Sequence, residues 1–108
     1  STAVFNMLSN LVAGGAPVDA IGFQAHLDGT NFDAASFRSN LQRFHDLGLD
    51  LQVTEFDVRL NVDTNTGLAT PAARAGQAEV YFDALGNALR FPRLTVFQTW
   101  GISDADSW

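Results

Sequence analysis

Residues Leu51–Val58 read LQVTEFDV. The run is short and apolar, of the kind that forms a buried strand, yet it carries Glu55 and Asp57. Side chains alternate between the faces of a strand. Simple alternation puts Leu51, Val53, Glu55 and Asp57 on one face, and Gln52, Thr54, Phe56 and Val58 on the other. The first face begins apolar and ends in two carboxylates. Such a strand offers acid groups to something beyond its C-terminal end, where α/β proteins bind ligands.

Working outward, a helix over about Ala34–Leu47 precedes this strand. Phe37, Leu41, Phe44 and Leu47 make its apolar stripe, either Asp33 or Ser36 can cap it, and Gly48 follows its end. Before that helix comes Ile21–Leu27, IGFQAHL, a strand with Ile21, Phe23, Ala25 and Leu27 on one face and Gly22, Gln24 and His26 on the other. The chain opens with helical spacing over Ala3–Ala13, stopped by Gly14-Gly15 and Pro17. After the central strand, Arg59–Pro71 reads as a long surface loop, a length that is often functional. A third helix over about Ala72–Leu89 places Ala78, Tyr81, Leu85 and Ala88 on one side, and Leu94–Trp100 is a last strand. Helix and strand alternate three times, which predicts a parallel sheet.

The totals bound the function. At 108 residues the chain is one domain or part of one, and 46% apolar content supplies a core. A net charge of -6 argues against nucleic acid and anionic membranes as partners. There is no lysine, and nothing functional follows from that. Without cysteine there is no disulfide framework and no thiolate chemistry. No apolar run approaches a membrane span, and no signal peptide is recognisable. The abrupt ends read as those of a piece of something longer.

Each strand carries polar or aromatic groups towards its C-terminal end: Gln24 and His26, then Glu55 and Asp57, then Gln98 and Trp100. One such residue is ordinary. Three consecutive strands doing it at the same end imply a shared site above the sheet, as at the mouth of a parallel barrel. Taken singly, these residues also allow plainer roles. Glu55 could pair with Arg59, His26 could be a satisfied buried histidine, Asp57 could pair with an arginine, and Trp100 and Trp108 could be core aromatics. His26 and His45 lack zinc-ligand spacing, and Asp63 with Asn65 lacks the calcium-loop pattern, so no metal is expected.

Three stretches, VDAIGFQAHL (Val18–Leu27), NLQRFHDLGLDLQVTEFDVR (Asn40–Arg59) and FQTWGISDADSW (Phe97–Trp108), together resemble the last three βα units of glycoside hydrolase family ten, mainly endo-1,4-β-xylanases. The resemblance implies a TIM (β/α)8 barrel, here incomplete, with residues 1–108 holding about strands six to eight and their helices. It implies retaining hydrolysis of xylan without a cofactor. Glu55 matches the nucleophile, His26 the histidine that hydrogen-bonds it, and Asp57 the carboxylate that orients the histidine. Gln24 matches a polar pocket residue, and Trp100 and Trp108 match two tryptophans walling the bound sugar.

The residue types suit the chemistry. Retaining glycosidases use two carboxyl groups, a nucleophile and an acid/base. A hydrogen bond donated to a carboxylate favours its charged form, and indole rings pack on the apolar faces of sugars. The family's acid/base glutamate lies on the fourth strand, outside this chain. The only other glutamate, Glu79, falls in the third helix. The chain alone is therefore expected to be inactive. With unpaired sheet edges it is also expected to be molten or prone to aggregate. The resemblance further implies a secreted enzyme, monomeric at full length, with polysaccharide as partner. Competing readings are another barrel β-glycanase, a non-catalytic sugar-binding homologue and, last, a flavodoxin-like domain, which lacks a phosphate-binding turn after a strand.

Overall fold

The computed structural model describes residues 1–29 and 31–103. The elements run α1 (Thr2–Ala13), β1 (Ala20–Asp28), α2 (Ala34–His45), β2 (Asp50–Arg59), α3 (Pro71–Ala88) and β3 (Leu94–Thr99). The strands form one parallel sheet in the order β1-β2-β3. Each element lies within a residue or two of its sequence expectation.

Local chemistry sets the ends. Asp33 is the N-cap of α2: its Oδ1 accepts from the backbone N–H of Ala35 and Ser36, and its Oδ2 accepts from the Ser36 hydroxyl. That settles the choice between Asp33 and Ser36. The Ser36 hydroxyl, with the two N–H groups, holds the Asp33 carboxyl below its usual range. Thr70 caps α3 through Ala73 N–H, and Pro71 stands where its missing N–H costs nothing. Gly48 takes φ +82° to turn the chain from α2 into β2.

The core is built against one face of the sheet. At the N-terminal ends of the strands, Leu8 of α1 and Leu41 and Phe44 of α2 pack with Ile21, Leu51 and Phe91. Towards the C-terminal ends, Val80 and Ala84 of α3 pack with Ala25, Val53, Phe56 and Val58. The opposite face, with Gly22, Gln24 and His26, is exposed on β1.

This packing overturns the alternation expected for β2. Leu51 and Val53 are fully buried, but so are Phe56 and, nearly, Val58. The ladder explains it: Phe23 opposes Val53, whereas Gln24 opposes Glu55. One register step leaves Thr54 as an extra residue, a β-bulge. Its hydroxyl donates to the Phe23 carbonyl at 3.3 Å. The bulge resets the parity, so Leu51, Val53, Phe56 and Val58 meet the helices while Glu55 and Asp57 go to the other side. No face of β2 mixes core with carboxylates, as uninterrupted counting required.

The buried side of α3 meets expectation at Ala88 and, partly buried, at Tyr81, but differs elsewhere. Val80, Ala84 and Ala88 are buried, whereas Ala78 and Leu85 are exposed. The helix is apolar on several sides, so periodicity alone could not choose. Small residues face the sheet and let α3 approach it. Phe82, 79% exposed, and Leu89, 66% exposed, point away. On α1, Val4, Met7 and Leu11 are likewise exposed. His45 lies half-buried with its ring 5.5 Å from Phe91. Among the described residues no helix is long and apolar enough to cross a membrane.

Candidate active site

The site lies past the bulge, on the open side of β1 and β2. The ladder sets Gln24 beside Glu55 and His26 beside Asp57. Neighbouring parallel strands are roughly 4.8 Å apart, so side chains at paired positions meet directly. Gln24 Nε2 donates to Glu55 Oε1 at 2.9 Å. His26 bridges the two acids: Nε2 lies 3.2 Å from Glu55 Oε2 and Nδ1 lies 2.9 Å from Asp57 Oδ1. Both oxygens of Glu55 are thus held, and the ring is fixed at both nitrogens.

Burial is graded across the three groups. The side chain of Asp57 is 6% exposed, that of Glu55 21% and that of His26 33%. Asp57 sits at the back and Glu55 opens to the front. An ionised carboxylate only accepts hydrogen bonds, so with both acids ionised the ring donates at both nitrogens as an imidazolium. The hydrogen bond to Asp57, and then the charges of Asp57 and Glu55, hold the His26 pKa above 6.5 against the opposing effect of its desolvation. The cluster can present an oriented carboxylate whose hydrogen bonds are already made.

Trp100 follows the last residue of β3, and its N–H donates to the Phe56 carbonyl at 2.9 Å. Trp100 is 48% exposed, and its ring stands edge-on to His26 with centroids 6.2 Å apart. An exposed indole beside a polar cluster suits a ring-shaped ligand with apolar faces. The sequence-expected residues Gln24, His26, Glu55, Asp57 and Trp100 therefore lie at one end of the sheet. Trp108 lies outside the described residues. Glu79 is exposed on α3, whose buried side packs on the covered face of the sheet.

The segment after β2 is more ordered than a plain loop. Val62 and Ala69 form an antiparallel bridge. Asp63 Oδ1 accepts from the N–H groups of Asn65 and Thr66 at 2.8 and 2.9 Å. The Thr66 N–H, more than that of Asn65, lowers the Asp63 pKa. This carboxylate braces a turn. Sequence reasoning missed Gln77, whose Nε2 donates to the Val58 carbonyl at 2.7 Å. Its position shows only once the buried side of α3 is known: Gln77 lies three and seven positions before the buried Val80 and Ala84.

The model of Glycosyl hydrolase family 10 matches residues 1–108. The endo-1,4-β-xylanase B of Thermotoga neapolitana is 38% identical over 108 residues, which are all of this chain and 30% of that protein. The crystal structure of native xylanase 10B from Thermotoga maritima superposes with a TM-score of 0.87 at 39% identity, covering 97% of this chain and 31% of that one. Xylanase 10B from Thermotoga petrophila, solved in complex with xylobiose, gives a TM-score of 0.82 at 37% identity, covering 97% and 31%. The chain therefore spans about a third of the length of these relatives. Its three parallel strands and their helices are part of a TIM barrel, an incomplete one.

Proposed function

The chain belongs to glycosyl hydrolase family 10, and from that premise we propose that it is the nucleophile-bearing part of a retaining endo-1,4-β-xylanase. On this reading residues 1–108 form about strands six to eight of the barrel with their helices. The observation that carries it is the cluster on β1 and β2, in which Gln24 and His26 hold both oxygens of Glu55 at the open end of the sheet.

In the reaction a Glu55 oxygen attacks the anomeric carbon of a xylose unit. The glycosidic carbon–oxygen bond breaks, and the leaving oxygen takes a proton from an acid/base carboxyl outside this chain. A glycosyl ester on Glu55 results. Water, deprotonated by the same carboxylate, then attacks the anomeric carbon and frees Glu55. His26 keeps the attacking carboxylate oriented, and Asp57 holds the ring of His26. Gln24 fixes the second oxygen. Trp100 supplies an apolar wall for the sugar, and Trp108 joins it by resemblance alone.

Glu79, on the far side of the sheet, is not placed to protonate a leaving group at Glu55. The 108 residues alone are therefore inactive on this proposal, and the activity belongs to the full-length enzyme. The substrate is xylan, consistent with the xylobiose complex of the Thermotoga petrophila relative. A monomeric full-length enzyme outside the cell belongs to the same proposal.

The test is covalent trapping. Full-length enzyme treated with a 2-fluoro-xylobioside carrying a good leaving group should gain one glycosyl unit, found by peptide mass spectrometry on Glu55. A label on another residue, or a Glu55→Gln variant with parental activity on xylan, overturns the assignment. Parental activity on cellulose rather than xylan would move the substrate to a β-1,4-glucan.

A further inference from the structure

β2 is longer than β3 at the end that carries the site. Pairing with β3 stops at Phe56 opposite Thr99, and Trp100 N–H closes the ladder on the Phe56 carbonyl. β2 continues to Arg59. Carbonyls two residues apart on a strand point the same way. The Val58 carbonyl therefore points towards the β3 side, where the strand has already ended. A buried or half-buried carbonyl without a donor costs free energy. Gln77 of α3 supplies that donor at 2.7 Å.

On its other side the same overhang is held by strand pairing: His26 opposes Asp57, Leu27 opposes Val58, and Gly29 N–H donates to the Arg59 carbonyl at 3.2 Å. α3 grips β2 a second time one turn further on, where Tyr81 meets Phe56 edge-on at 4.9 Å. Asp57 sits between these two grips. Its carboxylate is the fixed end of the chain of contacts that runs through His26 to Glu55.

We propose that Gln77 is a positioning residue, a side-chain stand-in for the strand residue that β3 lacks, which holds the Asp57–Val58 segment so that Asp57, His26 and Glu55 keep their alignment. This rests on the nucleophile reading of Glu55 and adds to it a residue on the helix-covered side of the sheet. The rival role is a helix-to-strand bolt that matters for stability alone.

The two roles differ in what they move. In the full-length enzyme Gln77→Leu keeps most of the volume and removes the donor. Displacing reacting groups by fractions of an ångström to an ångström costs rate, so kcat should fall roughly 10- to 100-fold while KM stays within about twofold. Histidine-selective NMR should show His26 titrating closer to 6.5 than in the parent, because its hydrogen bond to Asp57 is disturbed. Gln77→Glu gives a second arm. Its carboxylate cannot donate but its protonated form can, so its kcat relative to the parent should rise as pH falls. A lowered melting temperature with parental kcat and an unmoved His26 titration overturns the proposal. Should Gln77→Leu fail to fold, Gln77→Glu decides, and parental kcat at neutral pH overturns it equally. Failure of the nucleophile reading shows separately, as an active Glu55→Gln variant, and the His26 titration still decides for Gln77.

Discussion

The helix-covered and open faces of the sheet come from the same three strands and do opposite things. On the covered face, Leu51, Val53 and Phe56 have no exposure and lie against Leu41, Phe44 and Ala84. Burial of that kind contributes about 1.5–3 kcal/mol per large side chain. On the open face, Gln24 and His26 hold the two oxygens of Glu55, His26 also meets Asp57, and an edge of the cluster stays accessible. The core and the candidate site thus lie on opposite faces of one sheet. β2 serves both because Thr54 shifts its register between the two tasks.

The separation can be broken most completely by isolating the chain. Alone, it leaves β1 and β3 as open edges, one face of the sheet uncovered, and Met7, Phe82 and Leu89 exposed. The 108-residue fragment is expected to show no cooperative thermal transition and to self-associate. A monomeric fragment with a sharp melting curve would contradict this.

Next comes a crossed pair of substitutions in the full-length enzyme. Glu55→Gln should lower kcat by at least ~10⁴-fold, since it removes the group proposed to form a covalent bond. It should leave the melting temperature nearly unchanged. Phe44→Ala, on the covered face at 1% exposure, should cost about 3–5 kcal/mol in denaturant unfolding and leave kcat near parental. If either variant moved both quantities strongly, the two faces would not be independent.

Deleting Thr54 probes the junction itself. Without the extra residue β2 would alternate regularly, with Val53 and Phe56 still inward and Glu55 still on the open side. The fold should persist. The aim of Glu55 relative to His26 should change, and kcat should drop roughly 10- to 100-fold. A deletion variant with full activity would show that the bulge does not aim the site.

The smallest effect is one of pH. His26 has its folded pKa raised above 6.5, first by the hydrogen bond to Asp57. A raised value means the folded state binds the proton more tightly than the unfolded chain. The stabilisation from this group is fully present below about 6.5 and is lost as pH rises through the raised value. NMR titration of the full-length enzyme should place His26 above 6.5, and stability should fall slightly across that interval. A His26 resonance titrating below 6.5 would mean that the bridge between the two acids is absent.

Much of the fold was legible because it depends on local signals. Apolar spacing marked α1 and α2, glycines marked where they stop, and alternation of helix and strand gave the parallel sheet. The site was legible for a related reason: in a parallel sheet, residues near the C-terminal ends of neighbouring strands come together whatever the loops do. Gln24, His26, Glu55, Asp57 and Trp100 needed only that rule and a motif. Two readings failed where the signal was not local. β2 was counted as an unbroken alternation, and a bulge appears only when the partner strand is known. The expected face of α3, Ala78, Tyr81, Leu85 and Ala88, is displaced towards Val80 and Ala84, because a helix apolar on several sides takes its inward side from the sheet and α2.

The sequence by itself determined the order of the elements, the set of polar residues at one end of the strands and the family they belong to. These follow from periodicity and motif, which neighbouring residues specify among themselves. Only the tertiary structure decided that Thr54 is extra, that Glu55 and Asp57 turn away from the core, and that Gln77 reaches the Val58 carbonyl. Each of those depends on where a second strand or a distant helix ends in space, and hydrogen-bond partners at 2.7–3.2 Å between residues far apart in sequence are fixed only when the packed layers bring them together.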